Sequence, residues 1–205
     1  MKAKYLNIFC WLLFLGITAD AQVPSGANWH LVKEGNGIKV YTAPSPSGFK
    51  YIKVNAELNG TLNKVIEVFR DIASQKDWVF KTRKANLIKK IDDNNFIYYN
   101  ETSLPWPASD RDIAIHMNLE EGPSNHDLTI TQKEAPDATP VKKGIVRVPH
   151  LSGTWKFRNT DKGKLHAEYY LDIDPGGSLP AWIVNMFSAK GPYETFVNLQ
   201  KMIRE

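Results

Sequence analysis

The chain has 205 residues, 42% hydrophobic and 23% charged, with a formal net charge of +4 at pH 7. That balance describes one globular domain large enough to bury a sizeable core, and it excludes disordered, collagenous and coiled-coil chains. The basic residues are scattered rather than striped, which argues against a nucleic-acid partner and permits only a weak attraction to anionic membrane surfaces.

The first 21 residues read as separate from the domain. Lys2 and Lys4 precede the apolar run 8–17, and Ala19-Asp20-Ala21 follow it. A basic start, a short apolar run and small residues at an A-x-A site form the pattern of a secretory signal peptide. The run is short for a membrane span, although an uncleaved anchor is the competing reading. The expected organisation is a signal peptide over 1–21 and one domain over 22–205, secreted or periplasmic after cleavage near Ala21. Cleavage removes Cys10, the one cysteine, and with it any disulfide or thiol chemistry.

After a polar lead-in over 22–28, strands are expected at 29–33 and 38–41, around the hairpin signal Asn36-Gly37. Residues 49–58 alternate, with Ile52, Val54, Ala56 and Leu58 on one face. The period changes at Thr61. Leu62, Val65, Ile66, Phe69 and Ile72 have helix spacing with Thr61 as the cap, and a short helical continuation ends at Asp77-Trp78. Strand-like runs follow at 86–91, 96–102, 112–119, 127–133, 144–148, 151–158 and 164–173. Their short connections imply antiparallel neighbours.

The final stretch, 174–205, organises the rest. Asp174-Pro175-Gly176-Gly177 stop a strand, Ser178 is placed to cap a helix, and Pro180 suits its first turn. Trp182, Ile183, Met186, Phe187, Phe196, Val197, Leu199, Met202 and Ile203 form a broad apolar stripe, and Gly191-Pro192 should kink the helix. Such a helix is about 35–40 Å long and needs an apolar partner of comparable size. The order of elements predicts an α+β fold, a curved antiparallel sheet with the long C-terminal helix laid across it, the two not closing on each other completely.

Several motifs in order resemble the StAR-related lipid-transfer, or START, family over nearly the whole domain. They are Trp29 with Gly37-Ile38-Lys39-Val40-Tyr41, then Asp77-Trp78, then Tyr98-Tyr99-Asn100-Glu101 leading to Pro105-Trp106-Pro107-Ala108-Ser109-Asp110-Arg111-Asp112. Gly144-Ile145-Val146-Arg147 and the run from Tyr169 to Trp182 through Asp174-Pro175-Gly176-Gly177 complete the series. The resemblance implies a helix-grip fold, in which the C-terminal helix grips a U-shaped sheet around a hydrophobic tunnel for one lipid or sterol. It also implies that the helix and the loops at the tunnel mouth act as a lid.

One departure from the family pattern stands out. Where relatives carry an acid facing a basic residue inside the tunnel, this chain has Glu101 and His116. The resemblance therefore does not carry over a fixed cation for phosphate. Alternation puts His116 on a face with Ala114 and Asn118, and that face is either lumen or solvent. The expected ligand-binding residues are Glu101 and His116 as polar tunnel groups, Arg147 as a structural or ligand-facing cation, and Trp182, Met186 and Phe187 as lining. Trp106, between two prolines, is expected to pack down rather than meet a membrane, and Arg111-Asp112 to form a structural ion pair.

Catalytic signatures find no support. There is no G-x-S-x-G, no Walker loop, and the histidines His30, His116, His126, His150 and His166 show no metal-ligand spacing. No cofactor and no metal are expected. Two classes of function stay open: a monomeric protein that binds and transfers one apolar molecule with transient membrane contact, and an enzyme on the same fold, a cyclase or hydrolase of polyketide-like or lipid substrates; a third, purely structural role would have the tunnel filled by the protein's own side chains.

Overall fold

The structure is a computed structural model, and it describes residues 26–46, 48–123, 126–160 and 163–204. The expected signal peptide lies outside the described residues. Among them, ten strands form one sheet in the order β1-β2-β3-β10-β9-β7-β6-β5-β4, with β8 set beside β6.

β1 (His30–Gly35) and β2 (Ile38–Pro44) form a hairpin whose turn, Asn36-Gly37, has φ of 51° and 75°. Both values lie where Asn and Gly are the least strained residues, as a two-residue hairpin turn demands. β3 (Lys50–Leu58) pairs with β2 and buries Ile52, Val54, Ala56 and Leu58, the alternating set expected. The chain then crosses to the far edge of the sheet through α1 (Leu62–Arg70), a 3-10 turn and α2 (Gln75–Trp78). Thr61 caps α1, its Oγ1 accepting from the Lys64 N–H at 3.3 Å. Val65, Phe69 and Trp78 face inward and are buried.

β4 (Thr82–Lys90), β5 (Asn95–Thr102), β6 (Arg111–Glu121), β7 (Asp127–Glu134), β9 (His150–Asn159) and β10 (Leu165–Asp174) follow. Their pairings with one another are antiparallel, and β10 closes back on β3. The run expected at 144–148 contracts to β8 (Val146–Arg147), which pairs parallel with the start of β6. It follows a segment that has crossed the outer side of the sheet, so it approaches β6 from the side rather than through a hairpin.

The C-terminal helix has three parts: α3 (Ala181–Asn185), a π turn over Met186–Lys190, and α4 (Gly191–Met202). Ser178 does not cap it. The helix begins at Ala181, and the Pro180 carbonyl accepts from the Ile183 N–H at 2.9 Å. Gly176 and Gly177, at φ of 73° and 63°, make the turn before it, and the Asp174 carboxylate accepts from the Gly176 N–H at 2.8 Å. The irregularity expected at Gly191-Pro192 is the π turn just before that pair. Proline cannot donate into the ladder, and a wider turn accommodates the missing bond. Ile183, Phe196, Leu199 and Ile203 are buried, whereas Trp182 is half exposed, so the apolar stripe is narrower at its start than the sequence suggests.

Candidate functional site

Between the concave face of the sheet and the C-terminal helix lies a cavity of about 250 Å³. Parity along the strands decides its walls. β10 contributes Tyr169, Leu171 and Ile173; β5 contributes Tyr98, Asn100 and Thr102; β6 contributes Ile113 and Ile115. Trp155 and Leu151 on β9 and Gln132 on β7 complete the sheet side. The helix closes the other side with Val184, Phe187, Ser188, Thr195 and Phe196, and α2 adds Gln75 and Trp78.

The cavity has two ends. One is ringed by the loop residues Phe49, Leu104, Pro175 and Leu179 and by Lys50, the first residue of β3. The other is an aromatic floor. There the Trp155 ring stacks on Tyr169 at 3.9 Å and on Phe196 at 5.2 Å, and Phe69 and Trp78 pack behind them. From Pro175 to Tyr169 is six residues of strand, a depth of about 20 Å.

Polar groups in the cavity are few and neutral at the floor. Gln132 Nε2 donates to the Tyr98 hydroxyl at 2.9 Å, and Trp155 Nε1 donates to Gln132 Oε1 at 3.0 Å. Burial raises the Tyr98 phenol strongly, against the opposing hydrogen bonds of Gln75 and Gln132, so it stays protonated at any ordinary pH. The cations Arg111 and Lys50 stand at the loop end. Arg111 donates to the carbonyls of Pro175 (2.9 Å), Gly176 (2.9 Å) and Ser109 (2.5 Å). Lys50 Nζ donates to Asn185 Oδ1 at 3.0 Å.

Of the residues expected to line the tunnel, only Phe187 does so, in edge contact with Phe80. Glu101 and His116 are on the opposite, convex face. Tyr98 and Asn100 point into the cavity, so Tyr99 and Glu101 point away, and β6 repeats this with Ile113 and Ile115 inside and Ala114 and His116 outside. Nor do they form a pair: Glu101 sits opposite Asp112 in register, and His116 opposite Ile97. His116 Nε2 is buried without a hydrogen-bond partner among the described residues.

On the convex face Glu101 belongs to a buried ionic cluster under the segment 135–147. It accepts from Arg83, from the Tyr99 hydroxyl at 2.8 Å, and from Lys142 at 3.5 Å. Burial alone would raise its carboxyl, but Arg83, Tyr99 and Lys142 together hold it below the usual carboxylate value. Arg147 is in the same cluster, bound to Asp112, and does not face the cavity. The expected Arg111–Asp112 ion pair does not form, because neighbours on a strand point to opposite faces: Arg111 turns toward the rim and Asp112 toward Arg147. Met186 is half-buried outside the lining, and Trp182 is 52% exposed. Trp106 is 89% exposed at the tip of the loop before β6, so it does not pack down as expected.

Sequence reasoning missed Tyr98, Gln132, Trp155 and Tyr169 as cavity groups. For Gln132, Trp155 and Tyr169 strand alternation carried that information, because each shares a face with buried apolar residues of its own strand; for Tyr98 it did not, because both faces of β5 are buried.

Comparison with known proteins follows the same geometry. The START domain family matches residues 20–205. The phosphatidylcholine transfer protein of Bos taurus is 30% identical over 182 residues, covering 84% of each chain. A solved structure of a StAR-related lipid transfer protein fragment from Xanthomonas axonopodis is 29% identical, with a TM-score of 0.77, covering 86% of this chain and 99% of that one. An aromatase/cyclase from Streptomyces, 13% identical with a TM-score of 0.52, covers 75% of this chain and 90% of its own, and shares the fold alone.

Proposed function

The chain belongs to the START domain family, and from that premise we propose that it binds a single lipid or sterol-like molecule in the cavity and carries it between membranes without chemical change. The observation that carries this reading is the unfilled, largely apolar space of about 250 Å³ between helix and sheet. An apolar guest hidden there gains roughly 0.8 kcal/mol per CH₂ removed from water, enough to hold a lipid without catalysis. The names of its relatives, a phosphatidylcholine transfer protein and a StAR-related lipid transfer protein, support the same class.

The lining argues against the enzymatic reading. Among the described residues it holds no histidine, cysteine or glutamate, and the one aspartate along it, Asp112, turns its carboxylate to the outer face of the sheet, onto Arg147. The floor phenols are held protonated and are poor bases at neutral pH. Exposed Trp106 and Trp182 suit brief contact with a lipid interface during loading. We further propose that the N-terminal 21 residues direct export, that the protein acts as a monomer outside the cytoplasm, and that it has no nucleic-acid partner.

Native mass spectrometry of the purified protein, followed by solvent extraction, tests the proposal. A single co-purified lipid, or uptake of one from vesicles and its return unaltered, is the expected result. Release of a chemically changed product would overturn it in favour of an enzyme.

A further inference from the structure

β4 is the last strand of the sheet. It pairs with β5 on one side, and among the described residues no backbone hydrogen bond from another strand reaches its other side. That edge is open to solvent: Arg83, Lys84 and every residue from Asn86 to Lys90 are exposed. Leu87 and Ile88 stand out among them, 50% and 40% exposed. Register shifts after Thr82 and after Leu87 bound a regular run, Lys84 to Leu87, held against Glu101 to Tyr98. A lipid bilayer is a poor cover for this edge, because hydrocarbon offers no hydrogen bond to unpaired N–H and C=O groups. A further strand does offer them.

Charge decides which strand fits. From Val79 to Ile91 the chain carries five cations and no acid. Arg83 is bound by Glu101 and Asp110, and Lys90 by Asp93, but Lys84 and Lys89 make no ion pair among the described residues. Two copies of this chain paired along the edge would set lysines against lysines, which opposes self-association there. An acidic strand meets the opposite situation. Parity then sets its pattern. Lys84, Asn86 and Lys89 lie opposite Glu101, Tyr99 and Ile97, on the outer face, whereas Ala85 and Leu87 lie opposite Asn100 and Tyr98, on the concave face. We propose that β4 is a docking edge for an extended segment of another protein that alternates acidic and apolar residues, added to the sheet as a further strand. Its acids lie beside Lys84 and Lys89 and its apolar side chains beside Leu87, while main-chain hydrogen bonds hold it to the edge. Arg83 also holds Asp110, in the loop that carries Trp106, so this seat begins beside the loop end of the cavity.

The test uses three labelled heptapeptides with capped ends: one alternating Glu and Val, one the same with its central Val replaced by Pro, and one alternating Lys and Val. Binding to the purified protein is read by fluorescence anisotropy, and the seat by backbone hydrogen exchange over 84–89. The Glu/Val peptide should bind, more weakly as salt rises, and should slow exchange along that edge at least about tenfold. The proline peptide carries the same charge but cannot pair its backbone along the strand, so it should bind at least about tenfold more weakly. The Lys/Val peptide should not bind. Lys84→Gln with Lys89→Gln should weaken the Glu/Val peptide about tenfold and leave the unfolding midpoint unchanged, because both side chains are exposed. Equal binding of the Glu/Val and proline peptides, no binding of the Glu/Val peptide up to about 1 mM, or protection confined to other residues would overturn the proposal. So would binding of the parent to vesicles of equal parts phosphatidylcholine and phosphatidylglycerol that the double variant abolishes, since the edge would then belong to a membrane.

Discussion

Arg147 grips Asp112 through the outer face of the sheet, Nε to Oδ1 at 2.7 Å and a second guanidinium nitrogen to Oδ2 at 3.2 Å. The same guanidinium reaches the carbonyls of Thr139 and Pro140 at 3.2 and 3.1 Å, fastening the segment 135–147 over the sheet. Arg147→Met leaves the buried Asp112 carboxylate with only the Tyr99 hydroxyl, at 3.2 Å, among the described side chains. The expected loss is about 3–5 kcal/mol in urea unfolding, because an unpaired buried charge costs more than the pair contributes. Lipid retention by the folded fraction should not change, since Arg147 does not face the cavity.

Filling the cavity should separate stability from function. Leu171→Phe adds bulk toward empty space rather than into packed atoms. The unfolding midpoint should stay level or rise, while uptake of an apolar probe such as hexadecane falls at least about tenfold, a loss of about 1.4 kcal/mol in binding. A variant that binds hexadecane as well as the parent would place the guest elsewhere.

Gly60 is where the loop before α1 meets the end of the C-terminal helix. A Cβ there would stand 2.8 Å from the Ile203 carbonyl oxygen and 2.9 Å from its Cγ1. Backbone cannot step aside as a flexible side chain does, so Gly60→Ala should cost about 1–3 kcal/mol, measurable by thermal or urea unfolding. Gly48 has open space for 4 Å around an added methyl but a φ of 82°, so Gly48→Ala should respond through backbone strain alone.

His166 contributes a pH dependence. Burial lowers its pKa, but the hydrogen bonds its ring donates to Glu57 at 2.8 Å and Glu168 at 3.4 Å outweigh that, and the net shift is upward from 6.5. A raised folded-state pKa stabilises the protein in full below the unfolded value, and that stabilisation is lost as pH rises through the folded value. The urea midpoint should therefore decline as pH rises above 6.5 and through the raised folded value, and His166→Gln should flatten that decline.

Trp106 and Trp182 should matter for membranes and little for folding. With Trp106 89% exposed, Trp106→Ser should leave the unfolding midpoint within about 0.5 kcal/mol of the parent. Co-sedimentation with phosphatidylcholine vesicles should drop for Trp106→Ser, and further for the double variant with Trp182→Ser. Unchanged sedimentation would remove these two side chains from the membrane step.

Most of the architecture is legible in the sequence because its strands alternate cleanly and its turns carry their own signals. Asn36-Gly37, Thr61 and Gly176-Gly177 each specify a local geometry that the structure retains. The polar residues are a different matter. In β5 both faces are buried, the inner one against the cavity and the outer one beneath the segment 135–147. Hydrophobicity therefore could not say whether the parity of Tyr98 and Asn100, or that of Tyr99 and Glu101, looked inward. Glu101 reads like a tunnel acid for that reason, and the ions that neutralise it, Arg83 and Lys142, come from another strand and from a covering loop. Trp106 misleads for a related reason: burial statistics for tryptophan describe the interior, and this one stands on a rim.

Arg111 sews together the loop that carries Trp106 and the glycine turn that launches the C-terminal helix, with one guanidinium bound to backbone oxygens on both sides. A door sewn at its jamb cannot be lifted from that edge. The stretch downstream has no such seam: it carries the wider π coil at Met186–Lys190, where Phe187 meets Phe80 edge to face, and it is there that a guest's passage should be sought.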